Sequence, residues 1–208
     1  MPAPVDLVVP LKPPHAGKSR LRGAVDEPAH PALVLALAAD TLAAAVPAVR
    51  RVLVVASDPA AVAGLKEFGV DVVTDDGAPD LNAALRKGER LLRAEDAGSV
   101  IGALQADLPA LRTDEFAAAL AEADGGRAFA ADWDGTGTTL LLSAPGGRLD
   151  PRFGAGSARA HRDSGAVPLR LAAPTLRRDV DTPADLAHAR RLGLGERTTA
   201  LLDQGRAA

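Results

Sequence analysis

The sequence predicts an α/β domain in which helices cover both faces of a mostly parallel sheet. Short apolar runs alternate with stretches of helical periodicity, and several of the runs are apolar at every position. Strands that are buried on both faces give continuous apolar runs of this kind. Regular alternation of strand and helix therefore predicts a doubly wound sheet, whose ligands bind at the carboxyl ends of the strands.

The predicted strands are short. They cover residues 5–9, 52–56, 70–74, 100–104, 127–131, 139–143 and 167–171. The predicted helices lie between these strands and after the last one. They cover residues 31–45, 60–68, 81–93, 113–123, 155–163 and 183–192. We interpret residues 1–195 as one domain and residues 196–208 as an appended short helix and tail.

Capping residues support two of the helices. Thr113 precedes Asp114 and Glu115, whose negative charges suit the positive start of a helix. Thr182 followed by Pro183 is typical of an N-cap residue followed by proline at the first helical position. These signals fix the starts of the helices at residues 113 and 183.

Composition excludes several classes of function. The chain has 208 residues, of which 47% are hydrophobic, enough for one buried core. With four Phe, one Trp and no Tyr, it lacks the aromatic residues of a base-stacking surface. A net charge of -3 provides no basic field for nucleic acid, so no nucleic-acid partner is expected.

The chain contains no cysteine, which excludes disulfides, thiolate metal sites and cysteine nucleophiles. No apolar run approaches the roughly 20 residues that span a bilayer, and the N-terminus lacks a signal-peptide pattern. We therefore expect a cytoplasmic protein without a membrane partner.

A basic loop follows the first predicted strand. Gly17-Lys18-Ser19 matches the end of the Walker pattern G-x-x-x-x-G-K-[ST], but Lys12 stands where its first glycine belongs. The two prolines that follow Lys12 remove backbone N–H groups that a phosphate cradle needs. This departure argues against a P-loop hydrolase or kinase, although that alternative stays open.

A looser phosphate-binding loop fits the same segment better. Lys12, Lys18 and Arg20 would contact phosphates, and the backbone at Gly17 and Ser19 would approach them closely. The alternative is a solvated surface loop that happens to be basic.

Aspartates follow two other segments. Asp107 lies just after the predicted strand 100–104, where α/β sheets place their sites. Asp179 and Asp181 are two residues apart, so their side chains point the same way in an extended stretch. Mg²⁺ prefers a few carboxylates together with phosphate oxygens, and these three residues predict such a site. The alternatives are turn or capping roles for Asp107 and Asp181.

Glycine turns lead into two later elements. Residues 134–142 form a glycine-threonine turn before a strand, and residues 152–161 form a glycine turn before a helix. Backbone N–H groups and Ser157 at that helix start could hold a phosphate or carboxylate, and ordinary turn chemistry is the alternative. His161 is predicted to lie on the helix surface.

In this order, the motifs resemble the 2-phospho-L-lactate guanylyltransferase family of deazaflavin coenzyme F-420 biosynthesis. They are the basic loop, Leu81-Asn82, Ala106-Asp107-Leu108-Pro109, Gly137-Thr138-x-x-Leu141-Leu142, Phe153-Gly154-x-x-Ser157 and Asp179-Val180-Asp181-Thr182-Pro183. The resemblance runs from Val8 to about Leu192. One departure is Asp80, which stands before Leu81-Asn82 where the family pattern has glycine.

The resemblance implies a Rossmann-like fold of the nucleotide-diphospho-sugar transferase type and an enzyme that is a nucleotidyltransferase. Lys18 and Asp107 would be catalytic, and Mg²⁺ would be held by Asp107, Asp179 and Asp181. The phospho-acid would contact Thr139, Gly154 and Ser157. GTP would be bound by Leu11, Lys12, Gly17, Lys18, Ser19, Arg20, Leu81 and Asn82.

The implied reaction joins GTP and phosphoenolpyruvate and releases pyrophosphate. The resemblance leaves 2-phospho-L-lactate and 3-phospho-D-glycerate open as acceptors. It also implies a downstream transferase that consumes the product. Oligomeric state is not readable from the sequence, and a homodimer stays open. A non-catalytic nucleotide-binding module is the remaining alternative, and it predicts that Asp107→Ala leaves function intact.

Overall fold

The computed structural model describes residues 4–207 and the side chains of residues 4–204. Within that range the chain forms a seven-stranded sheet in the order β3-β2-β1-β4-β6-β5-β7. The strands are β1 Val5–Leu11, β2 Arg51–Ala56, β3 Asp71–Thr74, β4 Val100–Leu104, β5 Ala128–Ala131, β6 Thr138–Leu142 and β7 Val167–Pro168. The predicted fold class is confirmed, because most neighbouring strands are parallel.

The direction of the strands divides the sheet into two parts. β1 pairs in parallel with β2 and β4, and β2 pairs in parallel with β3. β6 is antiparallel to both β4 and β5, while β5 and β7 are parallel. The carboxyl ends of β1 to β4 therefore share one edge, and the turn that enters β6 reaches the same edge from the opposite direction.

The helices cover both faces of the sheet. They are α1 His30–Ala45, α2 Leu81–Glu95, α3 Thr113–Ala123, α4 Ser157–Asp163, α5 Pro174–Arg177, α6 Pro183–Leu192 and α7 Glu196–Ala207. One large apolar cluster lies between the sheet and the side of α1 and α3, and a second lies beneath α2 and α4. Gly88 lets α2 approach β1, since a Cβ there would stand 2.5 Å from a Val8 methyl carbon.

Several predicted elements differ in detail. Residues 60–68 were predicted to be an α-helix, but a 3₁₀ helix forms over Ala63–Phe68 and buries only Leu65. The last predicted strand is limited to Val167–Pro168, where proline lacks an amide hydrogen for the ladder. The short α5 was not predicted. The capping prediction for α6 is confirmed, because Thr182 and Asp185 form a capping box.

The expectation that no apolar segment approaches a membrane-spanning length was wrong. The helical stretch Glu27–Ala48 has 22 residues and contains an 18-residue window with a mean hydropathy of 1.7. Its apolar residues pack inside the protein, with Leu33, Leu37 and Leu42 fully or almost fully buried. Apolar residues occur on most sides of α1 because the helix is enclosed between the sheet and α7, as is typical of a core helix.

Asp40 connects the middle of α1 to the start of α7. This buried carboxylate accepts hydrogen bonds from the backbone N–H groups of Arg197 and Thr198, at 2.9 and 2.8 Å. Gly195 makes the approach possible, because a Cβ there would stand 2.3 Å from the Asp40 carboxyl carbon. A negative side chain at a helix N-terminus is stabilising, so α7 is anchored to the domain at its first turn.

Candidate active site

A cleft runs along the carboxyl edge of the parallel strands. It consists of adjoining cavities of about 350, 720 and 590 Å³, and Leu81 at the start of α2 lines all of them. The basic loop, defined here as residues 12–20, borders the first cavity. The hydroxyl network, defined as Thr138, Ser157 and His161, supplies Thr138 and Ser157 to the second. The cleft therefore joins the two regions that the sequence analysis identified separately.

The basic loop is held in place by backbone hydrogen bonds and one buried histidine. The N–H groups of Ala16 and Gly17 both donate to the Pro13 carbonyl at 2.9 Å. His30, at the start of α1, donates from Nε2 to the Gly17 carbonyl at 2.9 Å. Lys18 then adopts a left-handed backbone with φ of 54°. Such strain, on the order of 1 kcal/mol, is typical of functional loops.

Lys18 bridges two of the predicted metal ligands. Its ammonium group donates to Asp107 and, at 2.6 Å, to Asp181, while Arg20 donates to the other oxygen of Asp181. Burial disfavours the charge of Lys18, but the two carboxylates outweigh burial and raise the pKa of Lys18 above its ordinary value. Burial likewise opposes ionisation of Asp181, yet Lys18 and Arg20 hold the pKa of that carboxyl below its usual range.

Asp107 and Asp179 are the carboxylates of this cluster whose negative charges are less fully neutralised by neighbouring groups. Asp107 is 8% exposed, and its Oδ1 has no hydrogen-bond partner among the described residues. Burial, followed by the charge of Asp107, raises the pKa of Asp179. A divalent cation would give the Asp107 Oδ1 a partner and would favour the charged form of Asp179. The donor set is therefore chemically suited to Mg²⁺.

These acids do not form a ready-made cage. Within residues 4–207 no three acidic or histidine side chains come together at metal-binding distance. The Lys18 ammonium instead bridges Asp107 and Asp181, and it neutralises them there. The basic loop, Asp107 and Asp181 thus come together from three separate segments as predicted, and Lys18 links the two carboxylates.

The hydroxyl network is buried and neutral. The backbone N–H of Arg152 donates to Nε2 of His161 at 2.9 Å, so Nδ1 carries the hydrogen and donates to Thr138 at 2.9 Å. Ser157 donates to the same Thr138 hydroxyl at 3.2 Å. Thr138 accepts from both neighbours, so its own hydroxyl hydrogen is not used in these two bonds.

The prediction that His161 lies on the helix surface was wrong. Its side chain is fully buried and packs edge-on against Phe153, with ring centroids 5.0 Å apart. Burial, together with the positive charges of Arg127 and Arg152, lowers the pKa of His161 to about 4. The helix α4 has only seven residues, so its periodicity was too short to identify the buried face.

Of the three residues predicted to bind the phospho-acid, two line the cavity of about 720 Å³ and the third does not. Gly154 and Ser157 line the cavity of about 720 Å³. Gly154 has φ of 138°, a conformation that favours glycine. Thr139 is fully buried, its hydroxyl has no partner among the described residues, and the adjacent Thr138 lines the cavity in its place. The direct role predicted for the Thr139 side chain stays untested.

Asn82 connects α2 to the glycine turn. Its side-chain amide donates to the Phe153 carbonyl at 3.0 Å and accepts from the Phe153 N–H at 2.8 Å. Asp80, which stands where the family pattern has glycine, caps α2 by accepting from the Ala83 N–H. Asn82 therefore holds the turn before Gly154, and its predicted contact with GTP remains a prediction.

The remaining GTP-binding candidates lie around the loop. Leu11, Lys12, Gly17, Ser19 and Arg20 line the cavity of about 350 Å³ with Lys18. A short 3₁₀ turn over residues 19–21 follows Lys18, in place of the long helix that a Walker loop requires. The P-loop alternative is therefore excluded by the local structure.

Sequence reasoning missed further residues that line the cleft. Gln105 lines the cavity of about 350 Å³ with the basic loop and Asp107, and Trp133 and Arg178 line the cavity of about 720 Å³ with Thr138. Gln105 had a detectable signal, since it comes directly after β4. Trp133 and Arg178 meet only through the fold, because 45 residues of sequence do not indicate a contact between them.

A family model described as "Guanylyl transferase CofC like" matches residues 5–169 of the chain. The chain belongs to this family. Its relatives include a phosphoenolpyruvate guanylyltransferase from Salinispora arenicola, 51% identical over 200 residues, with 94% of this chain and 92% of the relative covered. Another protein of that name, from Streptomyces coelicolor, is 50% identical, with 94% of each chain covered. As a member of the CofC-like family, the chain is an enzyme of the nucleotidyltransferase class.

Solved structures of low sequence identity show the same fold. A crystal structure from Desulfovibrio desulfuricans G20, assigned to the nucleotide-diphospho-sugar transferases, aligns with a TM-score of 0.70 at 18% identity. That alignment covers 98% of this chain and 95% of the other. The structure of 4-diphosphocytidyl-2C-methyl-D-erythritol synthase aligns with a TM-score of 0.58 at 16% identity, covering 92% and 99%. These similarities establish the nucleotide-diphospho-sugar transferase type of Rossmann-like fold.

Proposed function

We propose that the protein joins GTP and phosphoenolpyruvate to give enolpyruvoyl-2-diphospho-5'-guanosine and pyrophosphate in coenzyme F-420 biosynthesis. The observation that carries this proposal is the identity of about half the residues, over nearly the whole chain, with relatives named phosphoenolpyruvate guanylyltransferase. The juxtaposition of Lys18, Asp107 and Asp181 in one cleft supports it, because transfer of a nucleotidyl group needs cations and carboxylates together.

In this proposal the triphosphate of GTP lies along the basic loop. Lys12 is exposed at the cleft, and Arg20 lies beside Lys18 with most of its side chain in solvent. Phosphate oxygens could replace carboxylate oxygens as acceptors for these donors, since both groups suit charge-assisted hydrogen bonds. The ion pairs of Lys18 and Arg20 would then hold these side chains ready for the nucleotide.

The phospho-acid is assigned to the side of the cleft that carries the hydroxyl network. Thr138 lines the cavity there and donates its hydroxyl hydrogen to none of the described residues, and Ser157 and Gly154 stand at the start of α4. Short neutral donors fixed by His161 suit a small anion, because they need little rearrangement on binding. This assignment agrees with the acceptor role that the sequence motifs imply.

Mg²⁺ is proposed as the cofactor, held by Asp107, Asp179 and Asp181. Bound there, it would neutralise charge on the phosphates and on the departing pyrophosphate. Lys18 contacts Asp107 and Asp181 directly, so it would stabilise the same charge from the protein side. The unpartnered Oδ1 of Asp107 and the raised pKa of Asp179 support this donor set.

The reaction would be an in-line displacement at the α-phosphorus of GTP. A phosphate oxygen of phosphoenolpyruvate forms the new bond to phosphorus, and the bond to the β-phosphate bridging oxygen breaks, so pyrophosphate leaves. The acceptor phosphate is already a nucleophilic anion and needs no general base. The work of the protein is alignment by the hydroxyl network and charge neutralisation by Lys18 and Arg20.

A product-consuming transferase is the expected downstream partner, because the phosphoanhydride bond of the product is activated for transfer of a phosphoryl group. A cytoplasmic location, where GTP and phosphoenolpyruvate are both available, is part of the proposal. The acceptors 2-phospho-L-lactate and 3-phospho-D-glycerate are the alternatives that the experiment must separate.

The test is pyrophosphate release by the purified protein with GTP and Mg²⁺. Separate reactions contain phosphoenolpyruvate, 2-phospho-L-lactate, 3-phospho-D-glycerate or no acceptor, and a parallel set includes the downstream transferase to trap a labile product. We expect pyrophosphate with phosphoenolpyruvate and little with the other acids. Pyrophosphate release with only one of the other two acids would identify that acid as the acceptor. Orthophosphate release without any acid would contradict the proposal.

A further inference from the structure

Arg178 is a buried guanidinium with few bonding partners. The residue is 6% exposed, and its Nε has no hydrogen-bond partner among the described residues. The carboxylate of Asp185 is 3.7 Å from its Nη1, too far for a good hydrogen bond. Buried charges are ordinarily both paired and hydrogen-bonded, so the donors of Arg178 are available for a ligand.

The neighbouring arginine shows how this fold satisfies a structural guanidinium. Arg177 donates to the carbonyl of Ala131 at 3.1 Å and to the carbonyl of Leu169 at 2.8 Å. These bonds tie α5 to the sheet. Arg178 has no comparable carbonyl contacts in the described part of the chain, although it is the more buried of the two.

Trp133 covers the face of the Arg178 guanidinium. The Arg178 Cζ atom lies 4.2 Å from the centroid of the indole ring, and the tryptophan is 54% exposed at the cleft. Stacking uses the flat face of a guanidinium and leaves its N–H edge free to bind a carboxylate through two parallel hydrogen bonds. The pair therefore provides a covered, directional site for an anion.

Both residues line the cavity of about 720 Å³ together with Thr138 and Ser157. The other cations along that cavity are Lys18 and Arg20, and both are paired with Asp107 or Asp181. A three-carbon phospho-acid has a second negative group, its carboxylate, a few ångströms from the reacting phosphate. Of the described cations in the cavity, Arg178 is the one without a hydrogen bond to a carboxylate.

We propose that Arg178 binds the carboxylate of the phospho-acid acceptor and that Trp133 covers the resulting ion pair. The inference rests on the proposed function for the identity of the acid. It adds a specificity determinant, since an acceptor without a carboxylate would leave the buried guanidinium unpaired.

Trp133 also supplies the measurement, because it is the only tryptophan in the chain. Intrinsic fluorescence is recorded while phosphoenolpyruvate is added to the full-length protein with Mg²⁺ and without nucleotide. Titrations with glycerol 3-phosphate and with inorganic phosphate serve as carboxylate-free probes. We expect a saturable change with phosphoenolpyruvate and none at matching concentrations of the other two.

Calorimetry on Arg178→Gln then measures binding directly, without relying on the fluorescence of Trp133. We expect its dissociation constant for phosphoenolpyruvate to rise about 100-fold, with binding of GTP and of inorganic phosphate changed by less than about twofold. Arg178→Lys keeps the charge without the planar fork and should be intermediate, which provides a second variant if Arg178→Gln folds poorly. Arg170→Gln, at an exposed arginine, is the matched control and should bind like the wild type.

Unchanged binding of phosphoenolpyruvate to Arg178→Gln would overturn the inference, as would an equal loss for phosphoenolpyruvate and inorganic phosphate. These results are distinct from a failure of the proposed function. A wild-type protein that binds phosphoenolpyruvate through Arg178 but releases no pyrophosphate would refute the reaction while leaving the carboxylate site intact.

Discussion

The basic loop and the hydroxyl network line the same cleft, but they are stabilised in different ways. In the loop, Lys18 and Arg20 are charged and are neutralised by acids from distant segments, and Lys18 has a strained, left-handed backbone. In the network, Thr138, Ser157 and His161 are short, neutral and buried. The loop is therefore suited to a highly charged ligand, and the network to precise placement of a small one.

This difference predicts distinct consequences of mutation. Side chains around the basic loop should govern charge neutralisation, so their loss should reduce turnover with little change in folding. Side chains of the network also belong to the core, so their loss should affect acceptor affinity and stability together. The predictions that follow proceed from the largest expected effect to the smallest.

Asp107→Asn should produce the largest loss. The substitution keeps the shape but removes the charge that partners Lys18, and kcat/KM for pyrophosphate release should fall about 1,000-fold. The thermal midpoint should change little. Asp203→Asn, at an exposed acid of α7, is the control and should retain full activity. Normal turnover by Asp107→Asn would show that the Asp107 charge has no part in catalysis.

Lys18→Met should reduce kcat/KM about 100-fold by removing the ammonium that bridges Asp107 and Asp181. Lys66→Met, at an exposed lysine, should behave like the wild type. The assay is again pyrophosphate release, with circular dichroism to verify the fold. If the two lysine variants were equally active, the loop would have no part in catalysis.

The Asn82→Ala variant tests whether Asn82 serves the phospho-acid side or the GTP side of the cleft. Because its amide bonds the backbone of Phe153, we expect the KM for phosphoenolpyruvate to rise about tenfold while the KM for GTP stays within about twofold. Steady-state kinetics with each substrate varied in turn measure both values. A change confined to GTP would instead support the nucleotide contact predicted from the sequence.

The smallest expected effect is a pH dependence of stability from His161. Its pKa is about 4 in the folded protein and near 6.5 when unfolded, so the unfolded chain binds the extra proton between these values. The stabilisation is fully present above pH 6.5 and is lost as the pH falls towards 4. By pH 5.5 the free energy of unfolding should fall by about 1.4 kcal/mol.

Urea unfolding at pH 7.5 and 5.5 measures this loss. His161→Asn should be less stable at pH 7.5 and should lack the histidine-dependent decrease, whereas His188→Asn, at an exposed histidine, should retain it. An identical pH dependence in wild type and His161→Asn would show that His161 is not buried in its neutral form.

Features set by neighbouring residues could be predicted from the sequence. Apolar runs identified the strands, and the Thr182-Pro183 pair identified the start of α6. Asp107 was identified as a candidate because a residue just after a buried strand lies at the ligand edge of the sheet. These signals depend on periodicity and local hydrogen bonding, which a short window of sequence contains.

Features set by distant contacts could not be predicted in this way. The anchoring of α7 depends on Asp40, 157 residues before Arg197. The burial of His161 depends on packing against Phe153 and on a bond to Thr138. Such contacts arise from the order of the strands, which neither composition nor periodicity specifies.

The most direct test of two substrate-specific regions is calorimetric binding of GTP alone and of phosphoenolpyruvate alone, both with Mg²⁺. Lys12→Ala changes the basic loop, and Ser157→Ala changes the hydroxyl network. We predict that Lys12→Ala weakens GTP about tenfold and leaves phosphoenolpyruvate unchanged, and that Ser157→Ala does the reverse. Weakening of the same substrate by both variants would contradict the division of the cleft.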